Sequence, residues 1–357
     1  MTTQAKPEEA SPAGSGGSAP FLSVRDLSVR FSTEDGVVRA VDNLSFDVAP
    51  GTTLGIVGES GSGKSVTNLA VLGLHNPERT EISGSIKLDG RELVGASNRE
   101  LEQLRGKTMS MIFQDPLTAL SPFHTIGKQI GETYRKHTGA SKKEARDRAI
   151  EMLTKVGIPQ PTTRVDDYPH QFSGGMRQRA MIAMSLVCDP KLVIADEPTT
   201  ALDVTVQAQI LDLLKDLQQE MGTAIILITH DLGVVARTAQ NIMVMYAGRA
   251  IERGTVREVL KTPQHPYTWG LLSSMPSLTG DVNVPLTPVR GTPPSLINLP
   301  TGCPFNPRCD FREQVIGGGC TSERPALSPE TGHAAACHLK AAQRQDIFID
   351  QIKPRLG

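Results

Sequence analysis

Residues 53–65 read TLGIVGESGSGKS, and SVTNLAVLGL runs on from Ser65. TLGIV is apolar and short enough for one buried strand, whereas the following stretch has the texture of a helix. A buried strand that enters a helix through glycines is a unit of an α/β fold with a parallel sheet. Gly58-Glu59-Ser60-Gly61-Ser62-Gly63-Lys64-Ser65 also fulfils G-x-x-x-x-G-K-[ST] in full. Its glycines let the backbone curl until successive N–H groups converge, at a helix N-terminus, on an anion. Such a loop cradles nucleotide phosphates. Gly58, Ser60, Gly61, Ser62 and Gly63 form the curve, Lys64 brings a mobile charge to the β- and γ-phosphates, and the Ser65 hydroxyl is placed to ligate Mg²⁺.

The same alternation returns as KLVIAD, VQAQILDLLKDLQ and TAIILITH, where Val206, Ile210, Leu213, Leu214 and Leu217 share one helical face. LVIADEP sets Asp196 and Glu197 at the C-terminal edge of a hydrophobic strand, the edge at which open α/β sheets bind ligands. Adjacent acids suit two tasks. Asp196 can hold Mg²⁺ directly or through water, and Glu197 can orient and polarise an attacking water. Hydrolysis needs that second carboxylate.

Other segments have other textures. Residues 1–20, rich in Ser, Gly, Pro and Ala, read as a flexible tail. LSVRDLSVRFS, from Leu22, alternates with one slip and suggests an edge strand; Val37-Val38 and Val41 to Val48 continue the strand character between turns at Asp35-Gly36 and Pro50-Gly51. Residues from about Pro116 to Ala180 are strand-poor and include the amphipathic SKKEARDRAIEMLTKVGI, which predicts a helical insertion between sheet strands. After Gly254, prolines at 285, 288, 293, 294 and 300 exclude regular helix and mark a linker into a small Cys-bearing module.

The chain has 357 residues, room for about two domains at roughly 150 residues each. Lys and Arg number 37 against 38 Asp and Glu, so no global field attracts a nucleic-acid backbone. No apolar run approaches the ~20 residues that cross a bilayer as a helix, and the N-terminus has no basic-then-apolar secretory signal. The expectation is a cytosolic protein that reaches a membrane only by docking on another protein.

Phe172-Ser173-Gly174-Gly175-Met176-Arg177-Gln178-Arg179 opens a helix ending near Leu186. Ser-Gly-Gly at a helix start is a second anion site, built from free N–H groups and a hydroxyl. One nucleotide does not need two cradles in one chain, but a head-to-tail dimer does. Here the chain resembles the ATP-binding subunits of ABC transporters. The phosphate loop, Gln114 in MSMIFQDP, the FSGG signature, the Asp196-Glu197 pair, Asp203 in TALD and His230 closing TAIILITH stand in that family's order over residues 21–254. The resemblance implies an α/β fold, a P-loop NTPase core of ABC type with a parallel sheet, an antiparallel β edge region and a helical subdomain at about 116–180. It implies that Gln114 touches Mg²⁺ and senses the membrane subunits, that His230 holds the γ-phosphate and that Asp203 communicates across the dimer. Phe31 would stack on adenine. Met176 stands where the family commonly has Gln.

Cys188 falls in MIAMSLVC and reads as core, while Cys303, Cys309, Cys320 and Cys337 crowd into the last sixth of the chain. Clustered thiols in a cytosolic protein suit a four-thiolate metal site, zinc or iron–sulfur, rather than disulfides. His333 and His338 stand near enough to replace a thiolate on zinc. QDPLTALSP, HQFSGGMRQR, HPYTWGLL, GCPFNPRC and PALSPETGHAAACHL are similar to the oligopeptide/dipeptide importer ATPases. That resemblance makes residues 255–357 the C-terminal extension of such ATPases and implies a [4Fe–4S] cluster on the four cysteines. VIGGG lengthens the gap before Cys320.

The expected protein is therefore an ATPase at the cytoplasmic face of the cell membrane, powering import of di- or oligopeptides. Its implied partners are a second ABC ATPase subunit, identical or homologous, two transmembrane permease subunits and, indirectly, an extracellular peptide-binding protein, with no nucleic acid. Import of nickel or sugar, or a soluble ABC-type ATPase acting on DNA or ribosomes, are the alternatives.

Overall fold

The computed structural model describes residues 19–200, 202–275 and 288–355. Residues 1–18 of the expected flexible tail, and Pro285 of the linker, lie outside the described residues. In chain order the first strands are β1 (Leu22–Thr33), β2 (Gly36–Val48), β3 (Thr53–Val57), β4 (Thr80–Leu88) and β5 (Arg91–Glu92). They are followed by β6 (Met109–Ile112), β7 (Leu192–Asp196), β8 (Ala224–Thr229), β9 (Asn241–Tyr246), β10 (Arg249–Thr255) and β11 (Ala334–Ala335).

Two sheets result. One is antiparallel, in the order β2-β1-β4-β5. The other runs β11-β10-β9-β3-β8-β7-β6, parallel from β9 to β6 and antiparallel where β10 joins β9 and β11. β3, β7 and β8 are buried on both faces, which is why they read as continuous apolar runs. Their alternation feeds two cores. Ile194, Ile226 and Ile228 face the antiparallel sheet with Leu22, Val29 and Leu44. Val193, Ala195 and Leu227 face the helices with Ile112, Met152, Phe172 and Ile182.

β1 is not the edge strand that its alternation suggests; it pairs with β2 on one side and β4 on the other. The slip in its pattern is a bulge. The register against β2 shifts between Val24 and Leu27, and Asp26 between them takes φ +50°.

Between β6 and β7 the chain forms helices Pro116–Ala119, Ile126–Thr138, Lys142–Lys155, Pro161–Arg164 and Gly174–Leu186. Ser141 and Glu144 close a reciprocal capping box at the third of these, satisfying two end donors. Cys188 lies just past the last helix, half-buried against the helical core, as expected of a packed thiol.

The segment after β10 folds back on the sheet. Ala334 and Ala335 extend it as β11 beside Arg253 and Glu252. In helix Pro266–Ser273, Trp269 is fully buried; its indole N–H donates to the Pro263 carbonyl at 2.9 Å and its ring meets Phe311 edge-on. Asp42 on β2 accepts from Arg249 at 3.3 Å and from Arg324 at 2.5 Å, tying the tail to the antiparallel sheet. Among the described residues no helix is long and apolar enough to cross a membrane.

Candidate active site

β3 delivers the chain at Val57 into the loop of residues 58–63, and helix Lys64–Val71 leaves it. Gly63 has φ +99°, and a Cβ there would stand 2.4 Å from the Ala40 carbonyl oxygen, so no other residue fits. The loop walls a cavity of about 400 Å³ together with Gln114, Glu197 and His230. The Lys64 ammonium donates to the carbonyls of Gly58 at 2.7 Å and Glu59 at 3.0 Å. Burial lowers its pKa, against the opposing pull of Glu197, Asp196 and Glu59. Ser62 lines the cavity, and its buried hydroxyl has no hydrogen-bond partner among the described residues. An orphaned donor in a loop of this shape is what a phosphate oxygen would satisfy.

Asp196 ends β7, almost fully buried, where the Ser65 hydroxyl donates to it; burial raises its pKa. Serine hydroxyl and carboxylate are hard oxygen donors, the set that holds Mg²⁺ with phosphate oxygens completing the shell. Glu197 follows with φ +45°, a costly conformation for a side-chain-bearing residue, stabilised by its N–H donating to Ile228 O at 2.9 Å. That turn aims its carboxylate into the cavity. Oε2 accepts from Gln114 Nε2 and from Thr200 Oγ1, each at 3.0 Å, and Oε1 lies 3.2 Å from His230 Nδ1. Gln114, Glu197 and His230 follow the C-terminal ends of β6, β7 and β8, three adjacent strands, so the sheet order alone gathers them.

Other expected site residues stand apart from this cavity. Gly58 acts through its carbonyl, under Lys64. Phe31 lies at the end of β1 with its ring edge-on to His75, 5.4 Å between centroids. Ser173 caps helix Gly174–Leu186 from the surface by accepting the Met176 N–H. Asp203 caps helix Val204–Met221 by accepting the Val206 N–H at 2.9 Å. Val206 in turn packs against Gly175, where an added Cβ would stand 3.0 Å from it, so the helix that Asp203 caps begins beside the signature. Thr200, missed in the sequence, is a hydroxyl in a Pro-Thr-Thr turn with no motif of its own to single it out.

The metal site expected in the tail finds no support in the grouping of its side chains. Cys303, Cys309, Cys320 and Cys337 are free thiols, and among the described residues no three His, Cys, Asp or Glu side chains are grouped to hold a metal ion. The thiols do converge. Burial pushes Cys303 and Cys309 up to about 12, and the neighbouring thiols add to both shifts. His333 Nε2 lies 2.8 Å from buried Glu252, and His338 Nε2 lies 2.8 Å from the Glu323 carbonyl.

Residues 41–200 match the ABC transporter family, and residues 251–315 match the oligopeptide/dipeptide transporter C-terminal region. The oligopeptide transport ATP-binding protein OppD of Haemophilus influenzae is 53% identical over 292 residues, 82% of this chain and 90% of that protein. The dipeptide transport ATP-binding protein DppD of Bacillus subtilis is 53% identical over 296 residues, 82% of this chain and 88% of that protein. A solved dimeric ATP-binding cassette in a post-hydrolysis state with ADP and Pi superposes with a TM-score of 0.59 at 27% identity, covering 66% of this chain and 99% of that one. The phosphate loop, the strand-end carboxylates and the folded-back tail thus belong to one recognised kind of molecule: this chain is a member of the oligopeptide/dipeptide ABC transporter family of ATP-binding subunits.

Proposed function

We propose that this chain hydrolyses ATP to drive peptide import, and that Glu197 is the group that activates the attacking water. The observation that carries the reading is the anchoring of Glu197 by Gln114, Thr200 and His230 over a cavity floored by the phosphate loop. In the reaction water bonds to the γ-phosphorus, the bond from phosphorus to the ADP oxygen breaks, and the water proton passes to Glu197. Lys64, Ser60, Ser62 and the amides of Gly61 and Gly63 stabilise charge on the phosphate oxygens, and His230 adds a donor at the γ-phosphate. Mg²⁺, held by Ser65 and Asp196 with Gln114 beside it, supplies charge neutralisation when bound. Phe31 is proposed to meet the adenine.

Ser173, Gly174, Gly175 and Asp203 are not among the residues lining this cavity, which supports a head-to-tail pair in which each signature covers the other subunit's nucleotide. Residues 21–254 would form the cassette and 255–357 the extension. OppD and DppD are named for oligopeptide and dipeptide transport, which favours peptide cargo over nickel or sugar. Two permease subunits would hold the chain at the cytoplasmic face of the membrane. Glu197→Gln keeps the shape and removes the base. Steady-state phosphate release should fall by about two orders of magnitude or more while ATP still binds; release near the wild-type rate would sink the assignment.

A [4Fe–4S] cluster, or Zn²⁺, on the four tail thiols is supported only by their convergence. Metal and sulfide analysis of anaerobically purified protein decides it: metal-free protein that folds and hydrolyses ATP removes the proposal.

A further inference from the structure

Arg308 lies 249 residues beyond Glu59 in sequence, yet its guanidinium forms a two-pronged ion pair with that carboxylate, Nη1 to Oε2 at 2.7 Å and Nη2 to Oε1 at 3.0 Å. Glu59 is the second residue of the phosphate loop and is not among the residues lining the cavity. The Arg308 side chain is only 5% exposed. It is held from the tail side by the carbonyl of Arg290 at 2.6 Å and those of Gly291 and Val289 at 3.3 and 3.4 Å, with the Tyr246 hydroxyl at 3.3 Å. The rings of Tyr246 and Phe305 pack against it. A guanidinium fixed by five partners has no freedom to follow a moving loop; the loop is fixed to it.

The backbone of Glu59 is tied as well. Its N–H donates to the hydroxyl of Tyr267, another tail residue, at 2.8 Å, and its carbonyl accepts from Lys64. Every polar group of Glu59 is thus engaged, two of the three by residues beyond β10. The third holds the lysine that must meet the phosphates.

We propose that Arg308 is a positioning residue for nucleotide binding: through Glu59 it fixes the phosphate loop in its receptive shape, so that ATP affinity depends on the docked tail. The inference rests on reading residues 58–65 as the phosphate cradle. A loop already curved loses less freedom when phosphates arrive, and this difference appears in affinity. Removing the guanidinium strands a half-buried carboxylate beside the loop, which then rearranges to solvate it. Lysine cannot restore the contact, because one ammonium does not present two parallel N–H groups to a carboxylate.

The test titrates a fluorescent ATP analogue into the full-length chain carrying Arg308→Ala, Arg308→Lys, Glu59→Gln, or Arg308→Ala with Glu59→Gln. Lys64→Ala is the control, and nucleotide-free melting is followed throughout. The dissociation constant should rise about tenfold in Arg308→Ala, with Arg308→Lys recovering less than half of that loss on a logarithmic scale. The double variant should bind no more weakly than Arg308→Ala alone, because both changes remove the same contact. In Arg308→Lys, hydrolysis at saturating ATP should fall proportionally less than affinity, since the loss is in binding. Arg308→Ala binding within about twofold of wild type, or two single losses that multiply in the double variant, would overturn the proposal. If Arg308→Ala does not fold, Glu59→Gln decides: weaker binding supports the role and unchanged binding overturns it. Binding retained in Lys64→Ala would overturn the cradle reading itself, a failure distinct from that of Arg308.

Discussion

His265 is fully buried, and its Nδ1 accepts the N–H of Tyr267 at 3.0 Å, an arrangement open only to the neutral ring. Burial, helped by the nearby Arg344 charge, lowers its pKa to about 3. The sign follows from the proton count. Between that value and the unfolded value of about 6.5, the unfolded chain binds the proton and the folded chain does not, so stability is complete above the window and is lost as pH falls through it. From pH 7 to pH 5 this one group should cost roughly 2 kcal/mol. His265→Asn keeps an acceptor but cannot titrate. Urea unfolding at the two pH values should show a smaller loss for the variant than for wild type, and equal losses would remove His265 from the acid response. Single residues are unevenly legible in the sequence. Lys64, Asp196 and Glu197 stand out because local motifs carry them, whereas Glu59 looks like filler because its partner Arg308 comes from the tail.

Elements are legible where one stretch of chain makes its own case. The phosphate loop, the doubly buried β7 and β8, and the helical run before the signature all announce themselves by local pattern. β1 reads wrongly as an edge because alternation tells which face is buried but not how many neighbours a strand has; β4 arrives on its far side only after β2, β3 and helix Lys64–Val71. β11 is two residues long and exists because β10 offers an edge, so nothing in Ala334-Ala335 encodes it. His333, next to it, meets Glu252 of β10, a partner that only the fold supplies. Helix Lys142–Lys155 offers a clean test of a locally encoded boundary. Ser141→Ala deletes the hydroxyl of its capping box and should lower stability by about 1 kcal/mol, seen as a lower melting temperature with unchanged ATP affinity. A variant as stable as wild type would mean that Glu144 alone suffices to hold the helix start.

At the scale of the whole molecule, the signature contributes no residue to the cavity that the phosphate loop lines. Gly174 is exposed at the signature, and an added Cβ there would meet nothing within 4 Å. A large side chain should therefore leave the subunit intact while obstructing a partner. Gly174→Trp, placed in the hydrolysis-deficient Glu197→Gln background, should melt like its parent and bind ATP, yet remain monomeric in size-exclusion chromatography with ATP and Mg²⁺. An ATP-dependent dimer formed undiminished by that variant would rule out a closed interface at this face.

Trp269 is the chain's single tryptophan and sits where the tail packs on itself. Nature has in effect placed one indole in the extension and none in the catalytic body. Indole emission consequently reports the tail alone, whereas far-ultraviolet dichroism weighs every helix. Overlaying the two unfolding curves would reveal whether the nucleotide machinery and its appendage melt as one cooperative unit or in succession.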